Sequence, residues 1–244
     1  LRLVMAEDFS TVTELPGHQA SAEQLEMIHT RYHLARTLSG GKDVLEVACG
    51  PGRGLGYLAT VAKSVTGLDY TPALVELANR RYGGRIKAMQ GDAQQLPFAD
   101  ASFDVVILFE AIYYLPDAGR FVAEARRVLR ASGTLLVCSA NREWTGFNPS
   151  PLSLRYFSAR ELRELLEASG FAVEMRAGFP ADERRGWLGR LVSLARRGAV
   201  ALGLVPKTMK GKALLKRLFY GKLRVLGPEL DATVPVRPLE PVTA

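Results

Sequence analysis

The chain has 244 residues, 48% of them hydrophobic, so it can bury one sizeable core arranged as one or two domains. Its two cysteines, Cys49 and Cys138, sit in separate apolar runs; they read as small buried thiols, exclude a disulfide framework or a metal-ligand spacing, and fit a reducing compartment. No secretory leader and no membrane-length apolar run is found, so the expected location is cytoplasmic, with peripheral contact at a membrane. Net charge is +7, but it is localised. Residues 184–224 hold twelve Lys and Arg and no acid (+12), against −3 for residues 1–183 and −2 for residues 225–244.

Apolar runs alternate with amphipathic stretches. VLEVA (44–48), SVTGLD (64–69), RIKAMQGD (85–92), FDVVILF (103–109), GTLLVCSA (133–140) and FAVEMRA (171–177) read as strands. Between them GLGYLATVA (54–62), PALVELANRRY (72–82), AGRFVAEARRVLR (118–130) and SARELRELLEASG (158–170) read as helices. Ser158 and Glu161 form a capping-box pattern, and Gly170 supplies a stop. This order predicts an α/β fold with a mostly parallel sheet covered on both faces. Ligands of such sheets bind beyond the carboxyl ends of the strands, so each loop after a strand is a candidate site.

The most informative loop follows the first strand: VLEVACGPGRG, residues 44–54. Gly50, Gly52 and Gly54 let the backbone turn sharply and approach a ligand. The following helix offers free N–H groups to an anion. A dinucleotide fingerprint would need a third glycine where Leu55 stands, which argues against a nicotinamide site.

Glu46 to Gly52 resembles motif I of the class I S-adenosylmethionine (SAM) dependent methyltransferases, with Ala48 at the first glycine position. GLDYTP (67–72), GDAQQLPF (91–98), FDVVILFEAIYYLPD (103–117) and RVLRASGTLLV (127–137) resemble the later motifs, in order. The resemblance covers residues 42–178 and is nearest to the ubiquinone/menaquinone-type small-molecule methyltransferases. It implies a Rossmann-like doubly wound sheet, with SAM as cofactor and S-adenosylhomocysteine (SAH) as product. It also implies cofactor roles. Glu46 would meet the methionine end, with Ala48, Gly50 and Gly52 passing beneath. Asp69 would accept from the ribose, Tyr70 would pack on the adenine, and Asp92 and Ala93 would lie at its edge. Phe109 and Glu110 would complete the wall. Upstream, Arg31 and Tyr32 resemble a pair placed near the SAM carboxylate, with a surface Arg beside a core Tyr as the equal alternative.

Methyl transfer needs an aligned acceptor about 3–3.5 Å away and the exclusion of water. Glu110, Tyr113 and His33 are the catalytic candidates. Tyr113, Tyr114, Asn141, Trp144, Phe147 and Tyr156 are the acceptor candidates, because loops leaving the fourth and fifth strands carry them. The string Phe109-Glu110-Ala111-Ile112 stands where base-amino methyltransferases carry Asn/Asp-Pro-Pro-aromatic. This argues against base amino methylation and leaves O-, C- or other N-methylation open; the expected reaction is O- or C-methylation of a small or lipid-like acceptor.

The expected organisation is a helical lid (1–41), a SAM-binding core (42–179), and a basic helical cap with a final strand at 233–239 (180–244). The cap has three readings: a solvated flap, a dock for anionic lipid or a phosphorylated acceptor, or an RNA-binding surface. The competing functions are an RNA methyltransferase and a non-catalytic membrane-docking module.

Overall fold

The computed structural model describes residues 8–144, 147–179 and 223–242. A short 3-10 turn (Phe9–Thr11) leads into β1 (Gln19–Ala20) and α1 (Ala22–Leu38). The core then runs β2 (Asp43–Val47), α2 (Leu55–Ala59), β3 (Ser64–Asp69), α3 (Pro72–Tyr82), β4 (Lys87–Gln90) and β5 (Phe103–Phe109). It continues through a 3-10 turn (Ile112–Tyr114), α4 (Ala118–Val128), β6 (Leu129–Cys138) and α5 (Ala159–Ala168). Three short strands complete the described chain: β7 (Arg176–Ala177), β8 (Arg224–Val225) and β9 (Glu240–Pro241).

The central sheet has the order β4-β3-β2-β5-β6, and every pairing is parallel. Its inner strands are buried on both faces, which explains their continuous apolar runs. Alternate residues feed opposite cores. Leu45, Val106 and Leu108 pack with Phe121 and Val122 of α4 on one face. Val44, Val105 and Ile107 pack with Ala35 of α1 and with Leu55 and Leu58 of α2 on the other. The chain order reverses between β2 and β5, so the carboxyl ends of β2, β3 and β5 open onto one crevice.

Local signals set the helix ends. The Ser158–Glu161 capping box of α5 is present, and a second one, Ser21 with Gln24, starts α1. Pro72 opens α3, and Gly83 closes it in the left-handed conformation (φ 54°).

Three expectations are corrected. Helix 118–130 ends at Val128, because the Arg127 and Val128 carbonyls accept from Ala101 and Ser102 and Leu129 already pairs with Phe103. The run 171–177 joins the central sheet nowhere: only Arg176–Ala177 is a strand, and it pairs antiparallel with β9. Residues 233–239 form no strand. Pro235 and Pro238 lack the N–H a ladder needs, and Arg237 instead donates its N–H to Thr30 Oγ1 (3.0 Å) and its Nε to Glu26 Oε2 (2.8 Å) on α1. The basic stretch 184–224, apart from its last two residues, lies outside the described residues. Its end, β8, pairs with β1, so the C-terminal region and the segment before α1 pack together.

Candidate functional site

A cavity of about 830 Å³ lies over the carboxyl ends of β2, β3 and β5. Its floor is the turn after β2. Ala48, Gly50 and Gly52 all have positive φ (56°, 55° and 76°), so the first position of the glycine motif keeps the left-handed backbone although it carries a Cβ. Gly50 and Ala48 line the cavity. Gly52 does not; a Cβ there would press on Ala78, Leu55 and Tyr82, so this glycine serves the packing of the turn against α3. Gly54 is more demanding: a Cβ would fall 1.9 Å from Tyr32 Cε1.

Tyr32 fills that space and donates its phenol proton to Glu46 Oε1. Glu46 lies beneath the cavity lining rather than in it. Burial pushes its carboxyl up to about 7, against the pull of the Tyr32 hydrogen bond and of the Arg31 charge. Its Oε2 has no hydrogen-bond partner among the described residues, an unmet acceptor suited to a ligand ammonium.

Asp69 ends β3. Its Oδ2 accepts from Gly50 N (2.7 Å) and its Oδ1 from Thr71 N (2.9 Å), which ties the two loops together. Burial raises its carboxyl, and these backbone donors oppose the rise. Each oxygen keeps a lone pair for a hydroxyl. Tyr70 beside it is exposed and lines the cavity with Asp92, Ala93 and Gln94. Asp92 Oδ1 accepts from Gln94 N (2.8 Å), which fixes a tight turn in that loop.

The opposite wall comes from β5. Glu110 also has positive φ (53°). Its Oε2 accepts from Tyr113 Oη (3.0 Å), and its Oε1 accepts from the Cys138 thiol (3.4 Å) and lies 3.6 Å from Arg31 Nη1. Burial, then the Glu110 charge, push the Tyr113 phenol far above its ordinary value, so it stays protonated. Burial likewise raises both thiols, Cys49 and Cys138.

Phe9, Val12, Thr13 and Glu14 from the segment before α1 line one side of the cavity. Phe9 N donates to Thr71 Oγ1 (3.3 Å), and its ring meets Tyr70 and Tyr114. Thus one residue bridges the loop after β3 and the loop after β5.

The expected acceptor residues separate into layers. Tyr113 and Tyr114 line the cavity. Tyr156 stacks on Tyr113 (4.3 Å) and Phe147 meets Tyr156 edge-on, so they form a second layer that holds the first. Asn141 and Trp144 are exposed and do not line the cavity. His33 is corrected: it sits a third of a turn round α1 from Tyr32 and faces Tyr57 Oη (3.4 Å). His29 is buried elsewhere, and burial, with Arg53 nearby, holds it below its usual value. Neither histidine lines the cavity. Phe9 and Glu14 lie outside every motif string and line it all the same, while Arg53 and Gln94 lie inside motif strings with no role assigned to them there.

Comparison with known proteins agrees with this geometry. Residues 45–137 match the model of a methyltransferase domain. A probable S-adenosylmethionine-dependent methyltransferase of Mycolicibacterium smegmatis is 44% identical over 144 residues, which is 57% of this chain and 55% of that protein. A phthiotriol/phenolphthiotriol dimycocerosates methyltransferase of Mycobacterium ulcerans is 48% identical over 39% of this chain and 36% of its own length. The chain thus spans about half the length, or less, of these curated relatives. The solved structure of a methyltransferase from Bacillus halodurans superimposes with a TM-score of 0.55 at 28% identity, covering 61% of this chain and 71% of its own. The [4+2]-cyclase SpnF shares the fold (TM-score 0.56, 23% identity, 83% of this chain and 78% of its own).

Proposed function

We propose that this chain, whose residues 45–137 are a class I SAM-dependent methyltransferase domain, binds SAM in the cavity and methylates a small or lipid-like acceptor at oxygen or carbon. The carrying observation is convergence. The strand-end acid Asp69, the loop at Asp92 and Ala93, the left-handed turn at Ala48 and Gly50, and Arg31 all line one crevice at the sheet's switch point. When bound, SAM supplies an electrophilic methyl carbon and its own leaving group.

The protein's residues divide the remaining work. Asp69 accepts hydroxyl protons, and Arg31 offers guanidinium protons to a carboxylate. Glu46, beneath the cavity lining, keeps an unmet acceptor at Oε2 for the ammonium end. Phe9 and the Tyr113–Tyr114 turn exclude water and hold the acceptor. Tyr113, kept protonated, orients an acceptor oxygen; the proton that oxygen loses passes to Glu110, directly or through Tyr113 Oη. An acceptor methylated at an activated carbon uses the same pair.

An apolar acceptor is favoured by the lining of Phe9, Val12, Met27, Ile28, Tyr113 and Leu115. The relatives named for phthiotriol support the same class, since a triol presents hydroxyl oxygens. The +12 charge of residues 184–224, which apart from the last two lie outside the described residues, suits an anionic lipid or a phosphorylated acceptor.

The test is a partition. Methyl-labelled SAM and the protein are incubated with a cell extract, and lipid, small aqueous, nucleic acid and protein fractions are separated. Label in the organic fraction is expected. Label in RNA would replace this reading with RNA methylation, and label in no fraction would favour a non-catalytic docking module.

A further inference from the structure

Two arginines from different parts of the chain converge on one carboxylate at the cavity. Arg31 Nη2 (from α1) and Arg53 Nη1 (from the turn after β2) each lie 3.7 Å from Glu14 Oε2. The two guanidinium groups are largely buried, with side-chain exposures of 16% and 8%, whereas Glu14 is 48% exposed. Neither contact is short enough for a hydrogen bond. Arg31 Nε is buried and has no hydrogen-bond partner among the described residues. Arg53 is fixed from behind, its Nε donating to the Gly227 carbonyl (3.2 Å). None of residues 8–19, which carry Glu14, is fully buried.

Two buried cations this close to one another need an anion nearby. Glu110 Oε1 lies 3.6 Å from Arg31 Nη1 alone; Glu14 is the anion shared by both arginines, held loosely and from a segment that adds nothing to either core. We propose that Arg31 and Arg53 together form the carboxylate-binding end of the cavity, and that Glu14 is a resident counter-anion which the ligand carboxylate displaces. The inference builds on the reading of the cavity as a SAM site. It adds Arg53 as a ligand-binding residue and gives Glu14 a competing role. A ligand carboxylate can meet a guanidinium in a short bidentate geometry that Glu14 does not attain.

The test is calorimetry on the full chain at low salt with two probes. SAH carries the carboxylate; 5′-methylthioadenosine carries the adenosine and the sulfur but no amino-acid end. Glu14→Gln should tighten SAH by roughly twofold to fivefold, the worth of a half-exposed ion pair, and leave methylthioadenosine unchanged. Arg53→Gln should weaken SAH and spare methylthioadenosine. Unchanged or weaker SAH binding by Glu14→Gln, or equal tightening of both probes, overturns the role of Glu14. Should Arg53→Gln not fold, Glu14→Gln decides alone. If wild-type protein binds neither probe, the SAM reading itself fails and this inference falls with it; if it binds both and Glu14→Gln moves neither, only this inference falls.

Discussion

The Tyr32 phenol donates to Glu46 Oε1, and its ring stands where any side chain at residue 54 would have to be. The Gly54 position, the helix α1 and the acid of β2 are therefore one packed unit. Glu46 sits inside it as a carboxyl raised to about 7 by burial.

That rise fixes a pH dependence. Between the ordinary glutamate value of 4.5 and the folded value of about 7, the folded protein holds a proton that the unfolded chain has released. The stability from Glu46 is full below 4.5 and is lost as pH rises through 7, by on the order of 3 kcal/mol. Urea unfolding at pH 5 and pH 7.5 should show this decline in the wild type and a shallower one in Glu46→Gln. Equal slopes would mean that Glu46 is not buried as described.

Ala48 gives a stability prediction of the opposite kind. A left-handed alanine costs about 1–2 kcal/mol, and glycine there loses about 0.5–1 kcal/mol of that advantage to chain entropy. Ala48→Gly should raise stability by about 0.5 kcal/mol and leave ligand affinity unchanged. Thermal unfolding that shows a clear loss would contradict the positive φ.

Glu110 and Tyr113 should separate binding from chemistry. Once an acceptor is in hand, Glu110→Gln should lower kcat by about 10²–10⁴-fold if the acceptor must lose a proton. Tyr113→Phe keeps the stacking on Tyr156 and should lower kcat less. In Tyr113→Phe SAH affinity should stay within about twofold, and Glu110→Gln, which removes a second anion 3.6 Å from Arg31 Nη1, should not weaken SAH. A matching loss of SAH affinity would move the pair from the acceptor to the cofactor.

Much of this site can be read from the chain. The acids Glu46 and Asp69 are legible through the ordered set of motifs and its spacing, since a lone acid within or at the end of a strand has ordinary structural explanations. The central strands are legible as apolar runs. Other features depend on contacts between distant segments. Glu14 and Arg53 meet only because the segment before α1 folds across the turn after β2. His33 shares a helix with Arg31 and Tyr32, and only the phase of α1 shows that it faces Tyr57. Gly52 follows the motif but serves packing, a distinction that needs Ala78 and Tyr82 in place. The strand expected at 171–177 has the right alternation, yet its pairing partner in the described structure is β9, which no local pattern announces.

The central claim is that this cavity holds SAM through Asp69. Calorimetric titration of SAH tests it most directly, with wild-type protein beside Asp69→Asn. The account predicts one site per wild-type chain, weakened in the variant by about 1.5–3 kcal/mol, the range for hydrogen bonds to a charged group. Asp69→Ala should bind no better and should also unfold more readily, because Gly50 N and Thr71 N lose their acceptor. Wild-type affinity in a folded Asp69→Asn protein, or no SAH binding by the wild type, would contradict it.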